Sequence, residues 1–133
     1  MDTFKTSDLT TQRYRVEHTD RYEDYKTDYY VFNIGSVNYW AGVHQSTVDN
    51  EYNFFVLYER NEYHFRNLED AICFSLGGSI AEHYGNYQLN YETSEVVDRG
   101  NNFVDALIRR RGITEKQANK LRQGVKEYAE VWL

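Results

Sequence analysis

Residues 28–43, DYYVFNIGSVNYWAGV, decide the fold, because two stretches rich in aromatic and β-branched residues flank Gly35-Ser36. A glycine at the first central position suits a two-residue type II′ turn, which requires a positive φ there. Both strands of this hairpin carry apolar groups on both faces, which indicates strands near the centre of a sheet. The turn predicts the opposite pairs Ile34 with Val37, Phe32 with Tyr39, Tyr30 with Ala41 and Val31 with Trp40.

A second hairpin is predicted in residues 51–66, EYNFFVLYERNEYHFR. With Arg60-Asn61 as its turn, the opposite pairs are Tyr58 with Tyr63, Val56 with Phe65 and Leu57 with His64. The alternating residues 11–19, TQRYRVEHT, are typical of an additional edge strand. Together these segments predict an antiparallel sheet of four to five strands.

One central helix is predicted to follow the sheet. Asn67 is a candidate N-cap with Asp70 in the first turn, and the helix is expected to run through Gly77-Gly78 to Tyr84 before Gly85 ends it. Its predicted apolar face consists of Leu68, Ala71, Ile72 and Leu76. A further short strand is predicted around residues 87–91.

The C-terminal residues are typical of two helices joined by a tight turn. Residues 101–112, NNFVDALIRRRG, begin with an asparagine cap and end with three arginines and Gly112. Thr114 is a cap for a second helix, whose apolar stripe is predicted to be Ile113, Ala118, Leu121, Val125, Tyr128, Ala129 and Trp132. The predicted fold class is therefore α+β, with the sheet packed by the central helix and a C-terminal αα-hairpin that resembles a helix-turn-helix.

The chain is expected to form a single domain over residues 1–133, with an acidic part and a basic part. Residues 1–99 carry eight bases against 17 acids, a net charge of −9, whereas residues 100–133 carry seven bases against four acids, a net charge of +3. No apolar run approaches the length that crosses a bilayer, and the N-terminus lacks the pattern of a signal peptide, so a cytoplasmic location in the host cell is expected. Cys73, the single cysteine, is expected to be a small buried apolar group.

No catalytic, metal or cofactor motif is recognised in the sequence. The four histidines are widely separated, and none has the i, i+4 spacing that brings two imidazoles to one helix face. Gly77-Gly78-Ser79 lies inside a helical pattern, whereas glycines that hold a phosphate precede a helix. We therefore predict that the protein is not an enzyme and that it has no metal and no cofactor.

Residues 21–30, RYEDYKTDYY, interleave tyrosines with carboxylates, a combination that suits a protein-binding surface. Such a surface can imitate the charge of a nucleic-acid backbone and engage a basic groove. The alternative is an exposed, charge-rich connection whose tyrosines pack partly on the sheet. The residues predicted to bind a protein are Glu17, Asp20, Tyr22, Glu23, Asp24, Tyr25, Asp28 and Tyr29.

A second candidate surface is the basic C-terminal hairpin. A short helix, a turn with glycine and a basic second helix share the outline of nucleic-acid-binding units. The alternative is a solvated helix face with arginines that complement a helix end. The residues predicted to contact nucleic acid in this alternative function are Arg109, Arg110, Arg111, Lys116, Lys120 and Arg122.

Two functional hypotheses follow from the sequence. Small size, acidity and many tyrosines are shared by phage and mobile-element proteins that inhibit host enzymes, so the first hypothesis is a binding protein that occludes the basic surface of a nucleic-acid-processing partner such as a defence nuclease. The second hypothesis is a nucleic-acid-binding or regulatory module that uses the basic C-terminal helices. What purifies with the chain, a protein or nucleic acid, distinguishes the two.

Overall fold

The computed structural model describes residues 10–19, 24–46, 54–86 and 89–133, with side chains from residue 25 onward. The sheet is antiparallel, its strands adjacent in chain order: β1 (Thr10–Thr19), β2 (Asp24–Ile34), β3 (Val37–Ser46), β4 (Phe54–Tyr58) and β5 (Asn61–Phe65). The helices are α1 (Leu68–Tyr84), α2 (Thr93–Arg111) and α3 (Glu115–Trp132). This arrangement confirms the predicted α+β class and the edge strand at residues 11–19.

The hairpin of β2 and β3 has the predicted register. All four predicted cross-strand pairs are present, from Ile34 with Val37 to Tyr30 with Ala41. Gly35 has a φ of 66°, and Ser36 is not among the residues with positive φ, which is the pattern of a type II′ turn. The turn chemistry therefore fixes which β2 and β3 side chains face the helices.

The register predicted for the second hairpin is wrong by two residues. Its turn is formed by Glu59 and Arg60 instead of Arg60 and Asn61, so Tyr58 pairs with Asn61 and Val56 with Tyr63. Glu59 adopts a positive φ of 59°. Asparagine tolerates this conformation better than glutamate does, which is why the sequence favours a turn that contains Asn61. Because side chains alternate with a period of two, the shift keeps Val56, Tyr58 and Phe65 on the helix-facing side.

Helix α1 begins and ends where the sequence predicts. The Asn67 side chain accepts a hydrogen bond from the Asp70 backbone N–H at 2.8 Å, and Gly85 is the C-cap. Residues 71–78 are all buried, instead of one face only. A helix that is apolar on every side is one that other elements enclose, and α1 is packed by the sheet on one side and by α3 on the other.

Helices α1 and α3 run parallel and approach each other at glycines. A Cβ atom at Gly77 would clash with the Leu121 carbonyl oxygen, and one at Gly124 would clash with the Phe74 carbonyl oxygen. At the N-terminal ends Gln117 donates a hydrogen bond to Glu69, and at the C-terminal ends the Leu133 side chain reaches Gly85. The two helices therefore pack in parallel with their backbones in contact and their ends at the same level.

Helix α2 begins eight residues before the predicted asparagine cap, at Thr93 instead of Asn101. Val96 lies in the additional N-terminal turns of α2 and is fully buried. Its burial stabilises these turns, which the sequence pattern does not predict to be helical. Gly100 lies inside the helix, where Val125 of α3 packs against it and leaves no room for a side chain. The boundary drawn between residues 99 and 100 therefore falls within α2, and Asn101 keeps a buried Oδ1 without a partner among the described atoms.

The predicted αα-hairpin is present. Gly112 ends α2 with a left-handed φ of 69°, and Thr114 with Gln117 forms a capping box at the start of α3. The strand predicted around residues 87–91 is not found in residues 89–91, which lie in a turn and an irregular stretch where Asn90 has a φ of 55°. Residues 87 and 88 lie outside the described residues.

One apolar core joins the helix-facing side of the sheet to all three helices. It contains Cys73, which is free, and burial raises the pKa of its thiol to about 12, with a smaller contribution from Glu69 and Asp70. The predicted packing role of Cys73 is thus confirmed. Trp132 departs from the predicted apolar stripe, because it is 51% exposed at the end of α3.

Replacing Gly124 with alanine is expected to lower the free energy of unfolding, although alanine favours a helix by about 1 kcal/mol. The added Cβ would press on the Phe74 carbonyl, and overpacking typically costs about 1–3 kcal/mol. Chemical denaturation measures the change, with Gln123→Ala on the exposed side of α3 as the control. A Gly124→Ala protein as stable as the parent would contradict the close helix contact.

Replacing Leu121 with alanine is expected to destabilise the fold by about 2–5 kcal/mol, because this fully buried side chain would leave a cavity. The Trp132→Ala change removes a larger side chain, yet it is expected to cost less than about 1 kcal/mol because half of that side chain faces solvent. Thermal or denaturant unfolding of both variants checks the order. Equal losses would place Trp132 in the core.

Candidate functional site

The predicted acidic surface is only partly within the described residues. Glu17 lies on β1 and Asp24 on β2, whereas Asp20, Tyr22 and Glu23 lie outside the described residues. Asp28 is 7% exposed on the helix-facing side of β2, opposite Val43. Its carboxylate therefore does not belong to an open surface, in contrast to the sequence prediction.

The strand register interleaves the acids of this segment with bases. In the backbone pairing of β1 with β2, Glu17 lies opposite Lys26 and Asp28 lies opposite Arg15. Opposite charges at directly paired positions stabilise a sheet by roughly 0.2–1 kcal/mol. Part of the charge pattern of residues 13–28 is thus consistent with pairing of the two strands.

The two described tyrosines of the predicted surface, Tyr25 and Tyr29, are half-buried on the side of the sheet that faces away from the helices. The Tyr25 ring lies 5.3 Å from the His44 ring, edge to face, and 5.9 Å from the Phe55 ring. The ring centroids of Tyr29 and Trp40 are 6.3 Å apart. Tyr25 therefore packs on the sheet, as the alternative interpretation expects, whereas Tyr29 borders an open groove.

The basic residues predicted for nucleic acid fall into two groups, two with side-chain partners and four exposed. Arg122 is held by Asp105 at 2.8 Å and by Glu115 at 3.7 Å, and Lys120 lies over the Phe65 ring at 5.5 Å. Arg109–Arg111 in the last turn of α2 and Lys116 in the first turn of α3 are exposed. Four of the six predicted residues therefore present their charge to solvent.

An open groove lies between β3 and β4, at a place where no site was predicted from the sequence. Among the described residues these strands pair only at His44 with Phe55 and Gln45 with Phe54. Beyond these pairs the Ser75 hydroxyl of α1 donates a hydrogen bond to the Gly42 carbonyl at 2.9 Å, so α1 fills the opening between the strands. The resulting groove has a volume of about 330 Å³.

This groove, the tryptophan groove, is lined by Tyr29, Trp40, Leu57, Glu82, Tyr128 and Trp132, with serines of α1 at its base. Trp40 and Trp132 are each 51% exposed and Leu57 is 39% exposed. A second depression of about 400 Å³ shares Trp40, Ser79 and Glu82 with the groove and extends it along α1. Exposed tryptophans beside a polar floor are typical of a binding surface.

The groove lies at the electronegative end of the helix pair. The parallel orientation of α1 and α3 brings their C-terminal ends together, and each end carries a partial negative charge. The last turn of α3 contains Glu130 and no basic residue, and the last turn of α1 contains Glu82 together with His83, whose ring packs against Tyr39. Burial raises the pKa of Tyr128 to about 12, and the nearby Glu82 carboxylate adds to this shift.

Two further polar contacts lie near the sheet. Thr27 Oγ1 lies 2.7 Å from Nδ1 of His44, whose ring is 5.0 Å from Phe55. Tyr63 donates a hydrogen bond to Glu127 at 3.1 Å. Within the described ranges no group of three or more His, Cys, Asp or Glu side chains is placed to hold a metal ion, and no described helix has the length and apolar character to span a bilayer.

Comparison of the chain with models of protein families, with curated proteins and with solved structures finds no match. The geometry of the described residues is therefore the basis for a functional assignment. Among the described residues, the tryptophan groove is the surface that exposes both Trp40 and Trp132.

Of two sequence features at this groove, only one could have indicated it. Trp132 follows the helical stripe, so its exposure cannot be distinguished from burial by spacing alone. The last turn of α3, residues 129–132, contains Glu130 but no lysine or arginine, in contrast to the three arginines at the end of α2. That missing complement to the helix end is the signal that the sequence contains.

Stability is expected to fall as the pH rises from about 10 to about 12. An unfolded tyrosine ionises near pH 10, whereas burial raises the pKa of Tyr39, Tyr63 and Tyr128 to about 12, so only the unfolded chain loses these protons in that range. Denaturation at a series of pH values measures the slope. The Tyr128→Phe variant is expected to show a shallower slope, and an unchanged slope would place Tyr128 in solvent.

Proposed function

We propose that this chain is a small, non-enzymatic binding protein that occludes a basic, nucleic-acid-binding surface of another protein. The partner we propose is a nucleic-acid-processing enzyme such as a defence nuclease, and the protein is of the phage or mobile-element inhibitor type. It acts in the cytoplasm of the host cell and uses no cofactor. Inhibition results from covering the surface where the partner would hold DNA or RNA.

The observation that carries this proposal is the tryptophan groove at the electronegative end of α1 and α3. Trp40 and Trp132 are half-exposed there, beside the Glu82 carboxylate. Tryptophan and tyrosine supply much of the binding energy at protein interfaces. An acidic aromatic surface complements the lysines and arginines that nucleic-acid-binding proteins present to phosphates.

The charge of the whole chain supports the same type of partner. The net charge is −6, and residues 1–99 carry −9. A field of this sign steers a positively charged partner toward the protein and disfavours contact with phosphates. The acidic residues of the N-terminal segment, Glu17, Asp20, Glu23 and Asp24, would add to this steering.

A second candidate function is binding of nucleic acid through the basic hairpin. The observation that favours it is the exposure of Arg109, Arg110, Arg111 and Lys116 around one tight turn. Arginines at that position also complement the negative end of α2. The first function predicts that a protein purifies with the chain, and the second predicts that DNA or RNA does.

The proposed function is tested by measuring whether the purified protein displaces DNA from a candidate defence nuclease. We expect displacement, with an association rate that falls as salt is added, since the Debye length is only about 10 Å at 0.1 M ionic strength. A variant with Glu23→Lys and Asp24→Lys is expected to associate more slowly if the N-terminal acids steer the encounter.

The matched control for the second function is Arg110→Glu, which changes charge at the basic turn. It is expected to leave nuclease binding unchanged. Retention of DNA or RNA by the parent protein, and its loss in Arg110→Glu, would contradict the occlusion proposal and favour the nucleic-acid-binding module. Failure to displace DNA from every nuclease tested, together with failure to slow its cleavage, would also count against occlusion.

A further inference from the structure

We propose that the tryptophan groove binds an arginine side chain of the partner protein, with the guanidinium group stacked on the groove tryptophans and paired with Glu82. This inference rests on the proposed function, because it names the group that the partner would insert. It adds a specific ligand chemistry at a site that was not among the sequence predictions.

Two aromatic pairs border the groove. Tyr29 and Trp40 on β2 and β3 have ring centroids 6.3 Å apart, and Tyr128 and Trp132 on α3 have centroids 6.2 Å apart. Both pairs line the same opening, which α1 closes from below. A flat cation that enters this opening therefore meets aromatic rings from two different parts of the fold.

The charges around the groove favour a cation. Glu82 lines both the groove and its extension along α1, and among the described residues it forms no ion pair. The adjacent C-terminal ends of α1 and α3 place two negative helix ends in the same region, and Glu130 adds a carboxylate to the last turn of α3. A bound cation would offset this accumulated negative charge.

Guanidinium fits these features better than ammonium does. It is planar, it stacks on the faces of tryptophan and tyrosine, and it can donate two parallel hydrogen bonds to one carboxylate. The hydrated ammonium group of lysine lacks the flat shape and the fork of donors. Arginine is also the residue that nucleic-acid-binding surfaces use widely for phosphate contacts, so the proposed partner would present it.

The two tryptophans of the chain, Trp40 and Trp132, both line the groove, which makes a direct test possible. The probe is the peptide acetyl-Gly-Arg-Gly-Arg-Gly-amide, titrated into the intact protein. Tryptophan fluorescence and the two indole N–H signals in NMR spectra report binding. We expect both indole signals to shift with one common affinity.

The matched probe is the same peptide with citrulline in place of arginine, which keeps the shape and removes the charge. It is expected to bind about tenfold more weakly, a difference of about 1.4 kcal/mol. Glu82→Gln is expected to reduce the affinity for the arginine peptide by a similar factor. Glu115→Gln makes the same charge change at the start of α3, about 25 Å along the helix from Trp132 of the groove. It is expected to leave the affinity for the arginine peptide unchanged.

Three results would overturn the inference. Indole signals that do not respond to the arginine peptide would exclude the groove as its site. Equal affinity for the citrulline peptide, or for a lysine peptide, would show that guanidinium is not recognised. Indole shifts that appear on concentrating the protein alone would assign the groove to contact between two copies of the chain.

The same variants separate this inference from the proposed function. A nuclease that binds the parent, Trp132→Ala and Glu82→Gln proteins equally well would support occlusion and overturn the arginine site. Selective binding of the arginine peptide without displacement of DNA from any nuclease would support the arginine site and overturn the choice of partner. Since Trp132 is half-exposed, its replacement is expected to leave the fold intact.

Discussion

At Gly77 and Gly124 the backbones of α1 and α3 touch, and neither position has room for a side chain. This contact sets the distance between two parallel helices and matches their ends, from Glu69 beside Gln117 to Gly85 beside Leu133. Close packing of this kind tolerates little change in volume. The orientation of α3, and with it the position of every exposed group at its end, depends on the contact.

The position of α1 between the sheet and α3 links the core to the groove. Gly78 lets the Tyr58 ring lie against α1, and the Tyr58 hydroxyl donates a hydrogen bond to the Phe74 carbonyl at 2.5 Å. Ser75 completes the hydrogen bonding of Gly42 where β3 separates from β4. The groove is thus a consequence of inserting a fully enclosed helix beneath a sheet whose strands separate at one end.

Local chemistry in the sequence was enough to predict the β2–β3 hairpin, the limits of α1 and the Thr114 cap, because each is encoded by a few neighbouring residues. The β4–β5 register and the start of α2 were predicted incorrectly, since Glu59 adopts a positive φ and Val96 is stabilised by tertiary burial. The candidate site was not predictable in the same way. Its residues come from β2, β3, β4, α1 and α3, and only packing brings them together.

Nuclear Overhauser effects between α1 and α3 test the central claim most directly, because they report which ends of the two helices are adjacent. The parallel arrangement predicts contacts between the α protons of Gly77 and Gly124 and between Gly85 and the Leu133 methyl groups. It also predicts contacts between Glu69 and Gln117. Contacts between Glu69 and Leu133 would indicate antiparallel helices, which would separate the two negative helix ends and remove the electrostatic basis of the groove.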